Sequence, residues 1–160
     1  MKKLYIYLDT SVWNFVFADD APEKKEATLE FFKCVEKGQY QIFIGTTVLE
    51  EIRRTHDEGK LKQLMGLIDK YQPTVLEITK EVDSLSRKYM AEGVISNKKV
   101  GDSRHIAFAV INEMDVLLSW NYRDLANLNK KLKVEAVNFK EGYTKPMEFI
   151  TPYEVIGDEN

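Results

Sequence analysis

Acidic and amide side chains follow the apolar segments of this sequence at positions where a parallel sheet would bring them together. Asp9 directly ends the first apolar run, Glu50 and Glu51 come one helical turn after the second, Asp102 lies in the first turn of a predicted helix, and Asn121 follows the fourth run. Functional clefts of open parallel sheets lie beyond the carboxyl ends of their strands. Several carboxylates converging there repel one another unless a cation lies among them, so this pattern predicts a metal site.

The donor types indicate which metal this site would take. Carboxylate and amide oxygens, with no cluster of His or Cys, suit a hard divalent ion such as Mg2+ or Mn2+. Such an ion lowers the pKa of a bound water and neutralises charge on a leaving oxygen, which is the chemistry that phosphodiester hydrolysis requires. The acids therefore favour a metal-dependent phosphodiesterase.

The elements that must position these acids alternate along the chain. Short apolar runs rich in β-branched and aromatic residues alternate with longer segments of helical period, which is typical of an α/β fold with a mainly parallel sheet. The five predicted strands are Leu4–Leu8, Gln41–Gly45, Thr74–Ile78, Val116–Ser119 and Val134–Val137. The predicted helices are Pro22–Lys37, one opening near Thr47, Lys60–Tyr71, Thr79 to about Glu92, one beginning at Asp102, and Tyr122–Leu132. The tail from Lys140 is expected to add an edge strand and a final helical turn.

Length and composition restrict the class of protein. The 160 residues are 44% apolar and 31% charged, which predicts one compact domain over residues 1–160, with residues 140–160 as a C-terminal extension packing on it. With 23 Lys and Arg against 26 Asp and Glu, the formal net charge is −3. That balance excludes nucleic-acid binding by overall charge, so any such contact needs a local basic patch.

The sequence also predicts a compartment. Cys34 is the single cysteine, which excludes an internal disulfide and a thiolate metal site and favours a reducing environment. The apolar run Leu4–Leu8 is short, and no longer one follows, so neither a signal peptide nor a membrane span is expected. The expected location is the cytoplasm.

Four sequence motifs resemble the signatures of PIN domains, in the same order. They are LDTSVW, TTVLEEI, GDSRHIAFAV and LLSWN, and the resemblance extends over essentially the whole chain. With the segments SWNYRDL, NFKEGY and TPYEVI, the chain is most similar to the stand-alone VapC toxins of toxin–antitoxin pairs. This resemblance implies a three-layer α/β/α fold with a central five-stranded, mainly parallel sheet. It further implies a Mg2+- or Mn2+-dependent endoribonuclease, the toxin of a type II pair, with a small antitoxin partner and a homodimeric assembly.

The resemblance also assigns the acids. The metal-binding and catalytic acids of the family correspond to Asp9, Glu51 and Asp102. Glu51 is preferred to Glu50 because the family acid directly precedes an apolar residue, here Ile52. Ordinary alternatives exist for each acid, since Asp is a favoured helix N-cap and first-turn residue.

The fourth family position departs from the common pattern of Ser or Thr two residues before an Asp. Ser119 matches the pattern, but Asn121 stands in the place of the acid and is assigned to the catalytic set. An amide oxygen can bind a metal or its water but brings no charge, so affinity for a second ion is expected to fall. Asp124, one turn further on, is a candidate to compensate.

Other residues are candidates for supporting roles. Thr10 follows Asp9, and His105 lies one turn after Asp102, where it would orient a ligand or form an ordinary structural hydrogen bond. Trp13 and Trp120 flank the site and are predicted to stack on bases or, more simply, to pack in the core. A basic rim around the acids suits a phosphate backbone, and it includes Arg53 and Arg54 after Glu51. RNA contacts are predicted above all for Lys98, Lys99, Arg104 and Arg123.

Three other functions are alternatives to the nuclease. A PIN-like module that binds RNA or a protein with weak or no nuclease activity is favoured by Asn121. A phosphatase with an aspartyl nucleophile requires a second Asp where Ser11 stands. Dinucleotide binding requires a glycine-rich turn after the first strand, which this sequence lacks.

Overall fold

A computed structural model of the protein describes residues 3–156 as a five-stranded sheet with helices on both faces. The strands are β1 Leu4–Leu8, β2 Tyr40–Gly45, β3 Thr74–Leu76, β4 Val116–Leu118 and β5 Glu148–Ile150. The helices are α1 Thr10–Asn14, α2 Pro22–Glu36, α3 Thr46–Arg53, α4 Glu58–Tyr71, α5 Lys80–Ala91, α6 Val100–Ile111, α7 Leu128–Lys140 and α8 Pro152–Ile156, with a 3-10 turn at Phe15–Phe17. Residues 1–2 and 157–160 of the predicted domain and tail lie outside the described residues. No helix within residues 3–156 is long and apolar enough to cross a membrane.

All the strands run parallel, in the order β3-β2-β1-β4-β5. Side chains of a strand alternate between its two faces. In the central strand β1, Tyr5 and Tyr7 face one helical layer, whereas Ile6 and Leu8 face the other. The predicted α/β class, the five strands and the parallel sheet are therefore confirmed.

Two apolar cores lie between the sheet and the helical layers on its two faces. On one face the sheet packs against α5, α6 and α7, through side chains such as Tyr89, Phe108 and Val134. On the other face lie α1 to α4 and α8, with Trp13, Phe32 and other large buried side chains. Because both faces are covered, the central strands are apolar on both sides, as parallel strands generally are. The carboxyl ends of β1, β2 and β4 remain free to present polar residues.

The fifth strand was predicted at the wrong place. Val134–Val137 is not a strand but part of helix α7, and the fifth strand is β5, in the C-terminal tail. The short apolar run that contains Val134 and Val137 favoured a strand. The two valines are three residues apart, however, and both lie on the buried face of a helix. Asn127 caps that helix by accepting a hydrogen bond from the backbone N–H of Lys130. Packing against the sheet thus overrides the β preference of the valines.

Several boundaries also shift. The predicted helix Tyr122–Leu132 is wrong in its first half, because residues 122–127 form turns and the helix begins only at Leu128. Helix α6 begins two residues before Asp102, at Val100. The edge strand and final helical turn predicted in the tail are confirmed as β5 and α8.

Gly45 joins strand β2 to helix α3 at a point where no side chain fits. A Cβ atom there would overlap the ring of Phe108 on α6. The backbone N–H of Gly45 also donates to the hydroxyl of Tyr7, 3.1 Å away. This close approach brings α6 near the carboxyl ends of β1 and β2, where the candidate site lies.

Candidate active site

Asp9 follows β1 directly and is held in a fixed orientation. Its Oδ1 caps α1 by accepting from the backbone N–H and the hydroxyl of Ser11, at 3.1 and 2.6 Å. Its Oδ2 accepts from the hydroxyl of Ser119, at the end of β4, at 2.7 Å. Burial raises the pKa of Asp9, although the charge of His105 and the hydrogen bonds from the hydroxyls of Ser11 and Ser119 act to lower it. The carboxylate is therefore preorganised but poorly compensated in charge.

Glu51 projects from α3 toward α1 and α6. Its Oε1 accepts hydrogen bonds from the hydroxyl of Thr10 and from Nε2 of His105, the latter at 2.9 Å. Burial acts to raise the pKa of Glu51, but the hydrogen bond and charge of His105, together with Thr10 and Arg54, lower it below its ordinary value. Its Oε2 lies so close to Gly101 that a Cβ atom there would overlap it. Gly101 is thus required for the position of Glu51.

A buried relay of hydrogen bonds fixes His105. Its Nδ1 lies 2.7 Å from the hydroxyl of Tyr7, and its Nε2 binds Glu51. Burial disfavours the charged imidazole, but the hydrogen bond and charge of Glu51, together with the charges of Asp9 and Asp102, raise the pKa of His105. Sequence reasoning missed Tyr7. The sequence does contain a clue to its role, because Tyr7 stands two residues before Asp9 and therefore on the same face of the extended chain.

Asp102 lies in the first turn of α6 and faces Asn121 across the site. Nδ2 of Asn121 donates to Oδ2 of Asp102 at 3.3 Å. Burial, with the neighbouring charges of Asp9 and Glu51, raises the pKa of Asp102 to about 6, against the opposing effect of His105. Three acids from three separate elements are thus close enough to repel one another.

The side chains of Asn121 and Asp124 make contacts that differ from those expected of metal-binding groups. Oδ1 of Asn121 accepts from the backbone N–H groups of Arg123 and Asp124, each at 3.1 Å, so this oxygen stabilises the turn after β4. Asp124 is paired with Lys99 at 2.6 Å and lies 3.8 Å from Lys130. Its charge is therefore compensated by lysines of the chain itself.

A cleft of about 450 Å3 opens beside these acids. Its lining combines acidic and amide groups with a basic rim and comprises Glu51, Arg54, Lys98, Lys99, Val100, Gly101, Asp102, Asn121, Arg123 and Asp124. Three of the four predicted RNA-binding residues line this cleft, whereas Arg104 is half-buried on α6 and does not. Arg54, which the sequence also places in the basic rim, lines the cleft as well. Asp9 lies behind the cleft, buried among its hydrogen-bond donors.

Within the described part of the chain, no three His, Cys, Asp or Glu side chains are grouped closely enough to hold a metal ion. The hydrogen bonds explain this spacing, because Asp9 is turned to the two serines and Glu51 to His105 and Thr10. The donor chemistry nevertheless fits Mg2+, which commonly uses only one or two protein carboxylates with waters and substrate phosphates. The raised pKa values of Asp9 and Asp102 point the same way, since a nearby cation would relieve them.

Comparison with known proteins supports the fold. No family model and no curated protein sequence matches this chain. Among solved structures, a chain of the crystal structure of VapBC2 from Rickettsia felis bound to a DNA fragment from their promoter is similar, with a TM-score of 0.55 and 14% identity. The match covers 91% of this chain and 97% of that one. At this identity the likeness establishes the fold alone: the chain has a PIN-like three-layer α/β/α fold similar to that of the VapBC2 chain.

Proposed function

We propose that this protein is a divalent-metal-dependent endoribonuclease, the toxin of a type II toxin–antitoxin pair. The observation that carries the proposal is the convergence of Asp9, Glu51 and Asp102 from three elements, where burial, together with repulsion from the neighbouring acids, raises the pKa of Asp102 to about 6. Such a cluster costs stability and is understandable as a site for a cation. The PIN-like fold, shared with a VapBC2 chain, supports the same conclusion.

In this proposal Asp9, Glu51 and Asp102 hold Mg2+ or Mn2+. The bound ion supplies an activated water and charge neutralisation at the scissile phosphate. The protein's own contribution is orientation, since Ser11 and Ser119 fix the two oxygens of Asp9. The pair of Thr10 and His105 fixes Glu51 in the same way.

Asn121 belongs to the proposed catalytic set as the partner of Asp102. Its side-chain amide donates to Asp102, and its oxygen shapes the turn that carries Arg123. An amide at this position adds no charge, which favours a site for one tightly bound ion rather than two. Asp124 contributes indirectly, by holding Lys99 at the edge of the cleft.

The basic rim is proposed to bind the RNA backbone. Lys98, Lys99 and Arg123 lie with Arg54 around the acidic centre, so a phosphate chain crossing the cleft would meet cations before and after the acids. This is a local patch on a chain whose formal net charge is −3. RNA binding through it should therefore weaken as salt concentration rises.

We further propose that a small antitoxin covers this cleft, that the protein forms a homodimer, and that residues 1–160 act as one domain. The VapBC2 structure is a complex bound to promoter DNA, which supports the first of these. Co-expression with any short reading frame that adjoins the gene of this protein tests for the antitoxin: a stable complex that blocks cleavage is expected.

The decisive experiment compares RNA cleavage by the wild type, Asp9→Asn and Asp102→Asn in Mg2+, Mn2+ and EDTA. Asp69→Asn is the matched control, because Asp69 is exposed on α4 and the substitution makes the same change in charge. We expect both site variants to lose at least about a hundredfold in rate, since even outer residues of metal sites cost about 10- to 100-fold. A wild type that cleaves no RNA in either metal, or as fast in EDTA, contradicts the proposal.

A second candidate function is an RNA- or protein-binding module without nuclease activity. Two observations favour it: Asn121 occupies the place of an acid, and residues 3–156 contain no ready group of three metal-binding side chains. Calorimetric titration separates the two functions. A binding module should bind RNA equally well with and without Mg2+ and should be indifferent to Asp9→Asn.

A further inference from the structure

An aromatic cluster lies at the end of β4, around the turn that follows this strand. It consists of Phe15, Trp120, Tyr122 and Tyr153, arranged around the ammonium group of Lys24. The Nζ atom of Lys24 lies 5.7 Å from the ring centres of Phe15 and Trp120 and 5.1 Å from that of Tyr122. Tyr153 meets Trp120 edge to face at 5.0 Å. The 3-10 turn, helix α8 and the turn after β4 thus bring their rings to one place, next to Lys24 of α2.

The centre of this cluster is rigid. Trp120 is only 4% exposed, and its indole N–H donates to the hydroxyl of Thr28 on α2 at 2.9 Å. Its backbone N–H donates at 2.9 Å to the hydroxyl of Ser11, which itself donates to Asp9. The ring that supports the cluster is therefore tied to the same hydrogen-bond network as the candidate site.

The outer rings, in contrast, are accessible. Tyr122 and Tyr153 are 46% and 41% exposed, although packing normally buries such large side chains. An open pocket beside Tyr153 is lined by this residue and by residues 21–24. Because Lys24 already fills the cation position among the rings, the cluster has no room for a ligand cation. What remains for a ligand is the outer faces of the two tyrosines.

The position of Tyr122 links these faces to the cleft. Its two chain neighbours, Asn121 and Arg123, both line the cleft. Consecutive Cα atoms lie about 3.8 Å apart. A strand of RNA leaving the cleft over this turn would therefore reach Tyr122 within about one nucleotide. Within residues 3–156 no carboxylate pairs with Lys24, so its charge is available to the same strand.

We infer that Tyr122 and Tyr153 form a stacking subsite for a nucleobase next to the scissile phosphate, with Lys24 contacting the RNA backbone. This inference rests on the proposed ribonuclease function and assigns single-stranded RNA as its substrate class. Stacking on exposed aromatic rings beside cationic groups is how proteins bind single strands without reading sequence. The subsite holds an unpaired base, and an RNA duplex has no such base to offer.

The test measures binding of a short fluorescent single-stranded RNA in EDTA, where cleavage does not interfere. Tyr122→Leu and Tyr153→Leu should each weaken binding by about tenfold, the usual scale for one stacked base. Tyr122→Phe keeps the ring and should bind like the wild type. Phe139→Leu is the matched control, because Phe139 is 75% exposed but lies on α7, outside the cluster.

A second RNA with the same backbone but abasic residues identifies what the rings contact. If a base stacks there, the wild type and Tyr122→Leu should bind abasic RNA equally. The inference is overturned if the wild type and both Leu variants bind intact RNA equally. It is also overturned if Tyr122→Leu weakens binding of abasic RNA as much as binding of intact RNA, or if the wild type does not bind intact RNA. Cleavage in Mg2+ is scored separately, so RNA that is bound through the tyrosines but never cut would refute the nuclease and leave the subsite standing.

Discussion

Replacing Asp102 by Asn should stabilise the protein in metal-free buffer at neutral pH. The pKa of Asp102 is raised from 3.8 to about 6, first by burial and then by repulsion from acids such as Asp9 and Glu51. Ionising this carboxyl in the folded state therefore costs free energy that the unfolded chain does not pay. An asparagine has nearly the same shape, is never charged, and can still accept a hydrogen bond from Asn121.

The size of this stabilisation follows from the shift in the pKa of Asp102. One pKa unit corresponds to about 1.4 kcal/mol, so the full shift of roughly two units amounts to about 3 kcal/mol. Because Asp102 is only partly buried, solvent screening reduces this to about 1 kcal/mol. For a domain of this size, 1 kcal/mol moves the melting temperature by about 2–4 °C.

The effect should depend on pH in a defined direction. Well below pH 3.8, the pKa of this carboxyl in the unfolded chain, Asp102 is protonated in both states, and the variant has no advantage. As pH rises from there through about 6, the wild type loses stability relative to the variant, because the pKa of Asp102 is higher in the folded protein than in the unfolded chain. The advantage of Asp102→Asn should therefore be complete above about pH 7.

Thermal unfolding followed by circular dichroism in EDTA, at pH 4.5 and pH 8, measures this difference. Asp69→Asn, exposed on α4, controls for the change in net charge. Added Mg2+ should stabilise the wild type more than Asp102→Asn, because the ion loses a ligand in the variant. A lower melting temperature for Asp102→Asn at pH 8, or a gain that is the same at both pH values, would refute this account of the site.

Three further substitutions test other contacts. Gly101→Ala should displace Glu51 and reduce RNA cleavage by at least about tenfold, yet leave the melting temperature unchanged or higher, since Ala favours a helix by about 1 kcal/mol. Asn121→Asp should lower the melting temperature in EDTA and enlarge the stabilisation by Mg2+, because it adds a carboxylate beside existing ones. Gly45→Ala should destabilise the fold by about 1–3 kcal/mol in urea, because its methyl group overlaps a buried ring.

Each of these has its own control. Gly66→Ala on α4 meets no atom within 4 Å and should slightly stabilise the protein, in contrast to Gly45→Ala. Full cleavage by Gly101→Ala would mean that Glu51 needs no fixed position. An unchanged Mg2+ response in Asn121→Asp would place that residue away from the ion.

Local patterns were enough to predict much of the fold. The apolar runs that became β1, β2 and β4 are short and bounded by turns or caps, so their strand character is visible without any tertiary contact. Their order also placed Asp9, Glu51 and Asp102 near one edge of the sheet, because parallel strands share their carboxyl ends. The structure brings these acids together, while their role as metal ligands stays a prediction.

Contacts between distant segments decided the rest. Val134 and Val137 form a helix because their side chains pack on the sheet, which the local β preference cannot reveal. The hydrogen bond between Tyr7 and His105 joins residues 98 positions apart, and that between Trp120 and Thr28 joins residues 92 apart. Such pairings depend on how the elements pack in three dimensions. The sequence by itself determined which groups are available for chemistry; only the folded chain determined which of them are held, paired or left open to a ligand.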